Sequence, residues 1–583
     1  MSELAEHVAL PRPEAAAGDL HALAPHDAGV PRPAALEAGL AVLFVFVPLA
    51  FLPFTWAPFA DVKLLLVAVA ALLIWRSGVA LDRSLALPAT AWVAALSFAS
   101  IVGVDPWNSL FGPTDVLTGF LLLSLCAFLL VAGAAVPSAL AARIPGWLAS
   151  TGLAVSAIVL SYRFAPGLWS HVIANADLSG GTVGSVVYAS GFVGVAVVAA
   201  ASRPGWSLRR VVLTLIVLGS ALTVLAERAG WVAAAVGLVL ALWRGRASRR
   251  HVAAVCLTLI AVLAAWTVLD AVLPGSSPVS VVQRSQLAGS SDLVWRIGVV
   301  KAVVVSWTHR PLLGWGPGNT WSAFLASAPA SLLRVAGRTW KDAHDLFAES
   351  LGTSGIVGLA ALLWLLVTAG RRAVRAPKGT AWALGAAAAL LAFHLLQPMN
   401  VTLTPLLFLS IGIAAGGART EATPMRHPTP PDGAPRRFAF GHAALGIALV
   451  AAVVGGLCVV TASSLERYGR TYGSEAALRT AARIEPGRLS ATEALALDLG
   501  LDGRGGDPAA AVEARSMIGD AVTQHPWDPG VRLAAFGVEQ LLSDPAGARA
   551  WIRQQAERFP GDVATLSVTT KGQRPIVTGA GDG

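Results

Sequence analysis

The sequence predicts an all-α polytopic membrane protein, a bundle of about 12–13 spans with a long outward loop and a small outward helical domain at its C-terminus. Three observations carry that prediction. Of 583 residues, 55% are hydrophobic and 13% charged, where soluble domains carry about 25% charged residues. Apolar runs long enough for the hydrocarbon core, about 17–25 residues, recur along the chain. Lys and Arg crowd into alternate loops between those runs, the positive-inside pattern.

The first segment, 1–37, is Ala/Pro-rich, mixed in charge and unlike a secretory signal. It reads as a disordered cytoplasmic leader. The bundle's first part, 38–273, divides into spans at 38–56, 61–77, 85–103, 117–136, 147–164, 183–201, 209–226, 229–243 and 252–273. A long extracytoplasmic loop follows at 274–351. The last part, 352–462, holds spans at 352–370, 380–397, 402–416 and 439–462. The loops carrying Arg76/Arg83, Arg143, Arg203/Arg209/Arg210, 244–251, 371–378 and 419–437 then all fall on the side of the N-terminus. The intervening loops, such as 104–117 and 165–181, are poor in Lys and Arg. The predicted topology has a cytoplasmic N-terminus and an extracytoplasmic C-terminal domain.

That domain, 463–583, reads as short amphipathic helices at 474–484, 510–524, 530–542 and 546–559, punctuated by Pro, Gly and Asp. Residues 526–560 have the layout of a tetratricopeptide-like helix pair without most of its signature residues. Contact with an acceptor or an envelope protein partner is its expected use; a structural cap is the plainer one.

Composition also excludes classes. The net charge of +9 lies in short loops rather than on a continuous face, so nucleic-acid binding is not expected. Cys126, Cys256 and Cys458 each sit inside an apolar run, with neither zinc spacing nor a disulfide pattern. No metal and no cofactor are expected. The glycine-rich 314-GWGPGN-319 lacks the Gly-Lys-Ser/Thr ending of a phosphate loop and reads as a tight turn.

Ionisable groups at a membrane boundary are costly, so each invites a functional reading. Arg228 follows Glu227 in a turn too short to be a free loop. Arg296 and Lys301 share a helix-like segment, 292–307, for which a surface helix with snorkelling cations is the rival reading. In 341-KDAHDLFAESLGTSG-355, His344, Asp345 and Glu349 form a polar collar where an apolar run begins. A histidine at a helix start is usually a capping or core residue, and Asp342 or Asp345 could serve as the helix cap. As a set, two arginines and a histidine have chemical sense. Guanidiniums fork onto phosphate oxygens, and a neutral imidazole can take a hydroxyl proton.

These stretches resemble the O-antigen ligase/polymerase superfamily of bacterial membrane glycosyltransferases. "HRPLLGWGPGNTW" followed by "AHDLFAESLGTSGIVGLAALL" is similar to the family's glycine turn and histidine block. "AERAGWVAAAVGL" and "VWRIGVVKAVVVSW" resemble its two arginine segments, and "GTVGSVVYASGF" its Asn-rich region. The resemblance covers roughly 40–420. It implies a GT-C-like helix bundle that moves a glycan from an undecaprenyl-diphosphate carrier to a glycan, lipid or protein acceptor, inverting the anomeric centre without metal or nucleotide. By motif it implies His344 as general base, with Arg228 and Arg296 holding the diphosphate. Glu349, Asp345, Lys301, Gly316 and Arg310, which lie in or beside the same motifs, are expected to contact substrate. Three departures are Glu227 for Ser, Asp345 for Asn, and "GSVVY" for the Asn-x-Asn run. The tetratricopeptide-like extension suggests a ligase with a non-standard acceptor. Glycan polymerisation, transport of lipid-linked glycan and an inactive scaffold are the alternatives.

Overall fold

A computed structural model of the chain describes residues 33–170, 178–272, 290–327, 341–376, 378–417 and 437–560. Among the described residues every regular element is helical. A helix stands at each expected span: α1 (Ala34–Leu49), α2 (Asp61–Arg76), α3 (Arg83–Ile101), α4 (Phe120–Gly133), α5 (Ile144–Phe164), α6 (Val186–Ser202), α7 (Leu208–Leu225), α8 (Arg228–Gly245) and α9 (Arg249–Val272). After α10 (Ser290–His309) and α11 (Thr320–Ser327) come α12 (Leu346–Arg375), α13 (Ala381–His394), α14 (Leu403–Gly416) and α15 (Arg437–Tyr472). Among the described residues, six helices are long and apolar enough to cross a membrane, and six shorter apolar helices accompany them. This is a multi-pass membrane protein. The leader up to residue 32 lies outside the described residues, as do 273–289 and 328–340 of the expected long loop. Between those stretches the loop holds α10 and α11.

The sequence accounts for the helix ends. Asp82, Ser185 and Ser207 each accept a backbone N–H at the start of α3, α6 and α7, which satisfies donors that the helix leaves open. Helices α4, α6, α13 and α14 are buried on nearly all sides and apolar all round, as a central layer requires. Helix α9 is largely exposed along its apolar length, as a lipid-facing element would be.

The two ends of the bundle differ in chemistry. At one end Arg143 pairs with Glu37 at 2.7 Å and Arg372 with Asp82 at 2.7 Å. There Arg244 donates to the Val374 carbonyl at 3.1 Å, and His251 meets the Ala201 carbonyl at 2.8 Å. These are the basic loops expected to share one side. At the other end Lys341 meets Asp115 at 3.2 Å, Asn108 donates to the Gly318 carbonyl at 2.8 Å, and the Trp56 amide donates to Ser463.

Helix α15 does not stop where its apolar run ends near 462. It continues to Tyr472 and delivers Glu466 and Arg470 to the C-terminal helices α16 (Glu475–Ile484), α17 (Leu489–Arg504), α18 (Pro508–Gln524), α19 (Pro529–Leu541) and α20 (Pro545–Arg558). The last three begin alike: Asp507, Asp528 and Asp544 cap a helix whose next residue is proline. Proline suits that position because its missing N–H is not needed there. Leu478, Leu495, Ile518, Val531 and Val538 form a core of their own.

A buried ion cluster joins these helices to the bundle. Arg488, fully buried, reaches Glu485 at 2.7 Å, Glu466 at 3.3 Å and Asp61 of α2 at 3.4 Å. Burial opposes the charge on Arg488, but the carboxylates around it raise its pKa above the ordinary guanidinium value. Two residues further along α2, Lys63 is buried too, donating to the carbonyls of Thr182 at 2.8 Å and Val183 at 3.2 Å.

Candidate active site

Three loops meet at the end opposite the basic loops. Asp105 starts the first by accepting the amides of Trp107 and Asn108, both at 3.0 Å, which nucleates a short helix, Pro106–Phe111. So oriented, Asn108 donates to the Gly318 carbonyl and, at 2.9 Å, to Asn319 Oδ1. Asn319, itself buried, donates to Ser109 Oγ at 2.8 Å and to the Trp315 carbonyl at 3.2 Å. Gly316 adopts φ +96°, and a Cβ there would sit 2.4 Å from Ser109 Oγ. The 314–319 segment is therefore a turn that locks two loops together.

Helix α12 is broken. Gly355 takes φ 65° and ψ −168°, which interrupts the hydrogen-bond ladder. The residues after the break donate to the second loop: Ile356 N–H to the Pro311 carbonyl at 2.9 Å and Val357 N–H to that of Leu312 at 3.3 Å. The carbonyls before it accept in turn, Gly352 from Trp315 N–H at 3.1 Å and Thr353 from Gly316 N–H at 2.8 Å. Irregular backbone inside a membrane protein persists only where such partners replace the lost ladder. The break thus fastens the glycine turn to the helix that the histidine block opens.

In that block the two aspartates part company. Asp345 is the helix cap, accepting Phe347 N–H at 2.9 Å and Ala348 N–H at 2.7 Å. Burial raises its pKa, against the pull of those two amides. Asp342 belongs to the histidine instead. Its Oδ1 accepts the His344 N–H at 2.9 Å and lies against the imidazole Nδ1. His344 adopts φ 52°, left-handed and uncommon outside glycine, which folds the pair into this contact. Glu349, one turn into the helix and buried, accepts Ala343 N–H at 2.8 Å and the Thr320 hydroxyl. It holds the backbone beside His344 and ties it to the start of α11.

Lys341, Asp342, His344, Asp345 and Glu349 line one narrow cleft, closed on its other sides by Gly318, Thr118 and Met399. The side chains of His344 and Asp342 are about a quarter exposed, at 23% and 25%. Among the described residues, neither Arg228, Lys301 nor Arg310 lines this cleft. Arg228 opens α8 with its side chain exposed. Lys301 is exposed on α10. Arg310 donates to the Val102 carbonyl at 3.1 Å and stacks over Trp315, so it staples loops together. Arg296 lies on α10 with its side chain outside the described residues. No group of three or more His, Cys, Asp or Glu side chains able to hold a metal occurs among the described residues.

Asp342, Asn108, Asn319 and Thr320 enter the site without having been singled out for it. Asn319 lay inside the glycine turn already noted, "HRPLLGWGPGNTW", and Asn108 stands in "NSLFGPTDVLTGF", each an asparagine amid apolar residues and glycines.

Residues 213–363 match the family model described as O-Antigen ligase. That match supports the O-antigen ligase/polymerase superfamily of membrane glycosyltransferases. No curated protein matches the chain. The matched O-antigen ligase segment begins within α7, ends within α12 and contains Arg228, Arg296, Lys301, Arg310, Gly316, His344, Asp345 and Glu349. Loop 103–119 and the C-terminal helices lie outside it, yet both help to build the cleft and its surroundings.

Proposed function

We propose that the protein transfers a glycan from an undecaprenyl-diphosphate carrier to an acceptor hydroxyl at the outer face of the cytoplasmic membrane, as an O-antigen ligase-like enzyme. The observation that carries this reading is the His344–Asp342 pair facing an accessible cleft within the O-antigen ligase segment. With Asp342 on Nδ1, Nε2 is the nitrogen assigned to the acceptor proton. The acceptor hydroxyl gives its proton to Nε2 as its oxygen bonds to the anomeric carbon. The bond from that carbon to the diphosphate oxygen breaks, and undecaprenyl diphosphate departs. Displacement from the opposite face inverts the anomeric centre. Arg228 and Arg296 are assigned to the diphosphate, where two permanent cations take up the charge that a divalent metal neutralises elsewhere. Glu349, Asp345 and Gly316 keep the cleft in shape around the acceptor. The segregated ends of the bundle favour an orientation with the basic loops in the cytoplasm and the cleft outside. In this reading 38–273 and 352–462 form the bundle, and 463–583 is extracytoplasmic.

Mass spectrometry of lipid-linked glycans tests the reading, in a deletion strain restored with wild type or with His344→Ala. The expected result is carrier-linked glycan that wild type converts to product and the variant leaves in place. A glycan-extended carrier as product would identify a polymerase, and any other glycosylated acceptor a ligase. Equal conversion by His344→Ala would refute the mechanism.

A further inference from the structure

We propose that the C-terminal helices are a working part of the site, with His525 and Trp527 acting as positioning residues for the loops that form the His344 cleft. Asp105 is the first link. Its Oδ1 caps the helix that carries Asn108, while its Oδ2 meets His525 Nδ1 at 2.9 Å. One carboxylate therefore joins the turn between α18 and α19 to the loop that holds Gly318.

The second link is apolar. Trp527 meets Trp315 edge-on, with ring centroids 5.6 Å apart, and also packs against Phe559. Phe559 is fully buried in a cluster with Val299, Val303, Phe324 and Ala343. Ala343 immediately precedes His344, and Trp315 N–H donates into the break of α12. The C-terminal region thus touches both the glycine turn and the histidine block. A third contact lies between them: Trp107 packs so closely on Gly487 that a Cβ there would come within 1.2 Å of its indole.

These contacts make the region more than an appendage for recruiting partners. A domain that merely tethered another protein would need no fit against the loops of the cleft. A general base must hold its geometry closely, since a displacement of about 1 Å can cost about 100-fold in rate. The C-terminal helices supply the loops around His344 with contacts from outside the bundle.

The catalytic half of this inference rests on the transferase reading; the structural half does not, and the two are measured separately. Full-length wild type, His525→Ala, His525→Gln, Trp527→Ala and Trp527→Phe are compared in nanodiscs. Initial rates with purified lipid-linked glycan are measured alongside amide hydrogen exchange over 104–119 and 341–349. His525→Ala and Trp527→Ala are expected to lower kcat by about 10- to 100-fold while donor KM stays within about twofold. Exchange over both loops should accelerate, with α13 and α14 unchanged. His525→Gln, which can still donate to Asp105, and Trp527→Phe should recover most of the rate. Wild-type kcat and exchange in both alanine variants would overturn the proposal. So would a fall in kcat with no change in loop exchange. If the loops loosen but wild type transfers no glycan, the positioning of the cleft stands and the transferase reading fails.

Discussion

Replacing Asp342 by Asn tests the site most sharply, because it keeps the shape of the side chain and removes the charge. In the structure Oδ1 of Asp342 serves two groups, the backbone N–H of His344 at 2.9 Å and the imidazole Nδ1. An asparagine can retain the first contact through its carbonyl oxygen. It cannot supply a carboxylate to the imidazolium that forms as the acceptor proton is taken. A hydrogen bond to a charged group contributes about 1.5–3 kcal/mol. The pair is about a quarter exposed, so water replaces part of that and the lower half of the range applies. A loss of about 2 kcal/mol is about 30-fold in kcat, with little change in donor KM because the interaction matters most in the transition state. The assay is initial-rate transfer from purified lipid-linked glycan, with His344→Ala and the double variant measured alongside. Groups acting as one unit lose activity once, so the double variant should be no slower than His344→Ala. If Asp342→Asn stays within about twofold of wild type, the carboxylate plays no part in catalysis. A double variant slower by the product of the two single losses would show that the residues act independently.

The remaining predictions concern the frame around the site. Gly355→Ala would place a Cβ 2.2 Å from the Leu312 carbonyl oxygen in a backbone conformation reserved for glycine; thermal unfolding in detergent should show a destabilisation of about 3 kcal/mol or more. Arg488→Ala leaves Asp61, Glu466 and Glu485 buried without their shared cation, and a loss of about 3–5 kcal/mol in the same measurement is expected. Docking of the C-terminal helices should depend on pH through His525 and Asp105. The groups facing them are each other, Asp528, and the guanidiniums of Arg532 and Arg558 on the nearby Pro526 carbonyl. Asp105 raises the pKa of His525 through their hydrogen bond, so that contribution is complete below pH 6.5 and fades as pH rises through the raised value. Burial pushes Asp105 up, but His525 and the backbone amides lower it on balance, so its contribution is present above pH 3.8 and is lost as pH falls through the depressed value. Amide exchange over 104–119, corrected for the intrinsic effect of pH, should be slowest between those limits, and His525→Gln should lose the alkaline arm.

The expected spans all coincide with helices because long apolar runs and basic loops are local signals that need no partner to be read. The parts of the site that escaped sequence reasoning depend on distant partners. The run GTSGIVGLAALL looks continuous, and its break at Gly355 becomes intelligible only when Pro311 and Leu312 supply the acceptors. Asp342 and Asp345 were equally good caps on paper. The left-handed turn at His344 separates their roles, and nothing in the spacing of a histidine announces φ 52°. Asp61 and Lys63 open the expected span 61–77, and only Arg488 and the Thr182 carbonyl, far along the chain, show that they are buried and partnered. Helix α17 escaped the amphipathic search of the tail altogether. Its Ala/Leu-rich sequence packs on both α18 and α19, so it lacks one clean polar face.

The collar of charge at 341–349 now divides by task. Asp345 holds two amides at the start of α12, and Glu349 holds the Ala343 amide and the Thr320 hydroxyl. These are requirements of any helix start, whose first backbone N–H groups need acceptors from outside the helix. They would be needed whether or not the protein were an enzyme. Arg310, engaged with Val102 and Trp315, belongs with them. Asp342 also accepts the His344 N–H, but structure alone gives no such reason for the imidazole it lies against. A histidine forced into a left-handed conformation costs stability, and its imidazole faces an open cleft rather than a core. Strain kept at a solvent-accessible imidazole, next to a carboxylate that can orient it, is what proton transfer requires and what a cap does not. That contrast is why the chemistry is assigned to this pair.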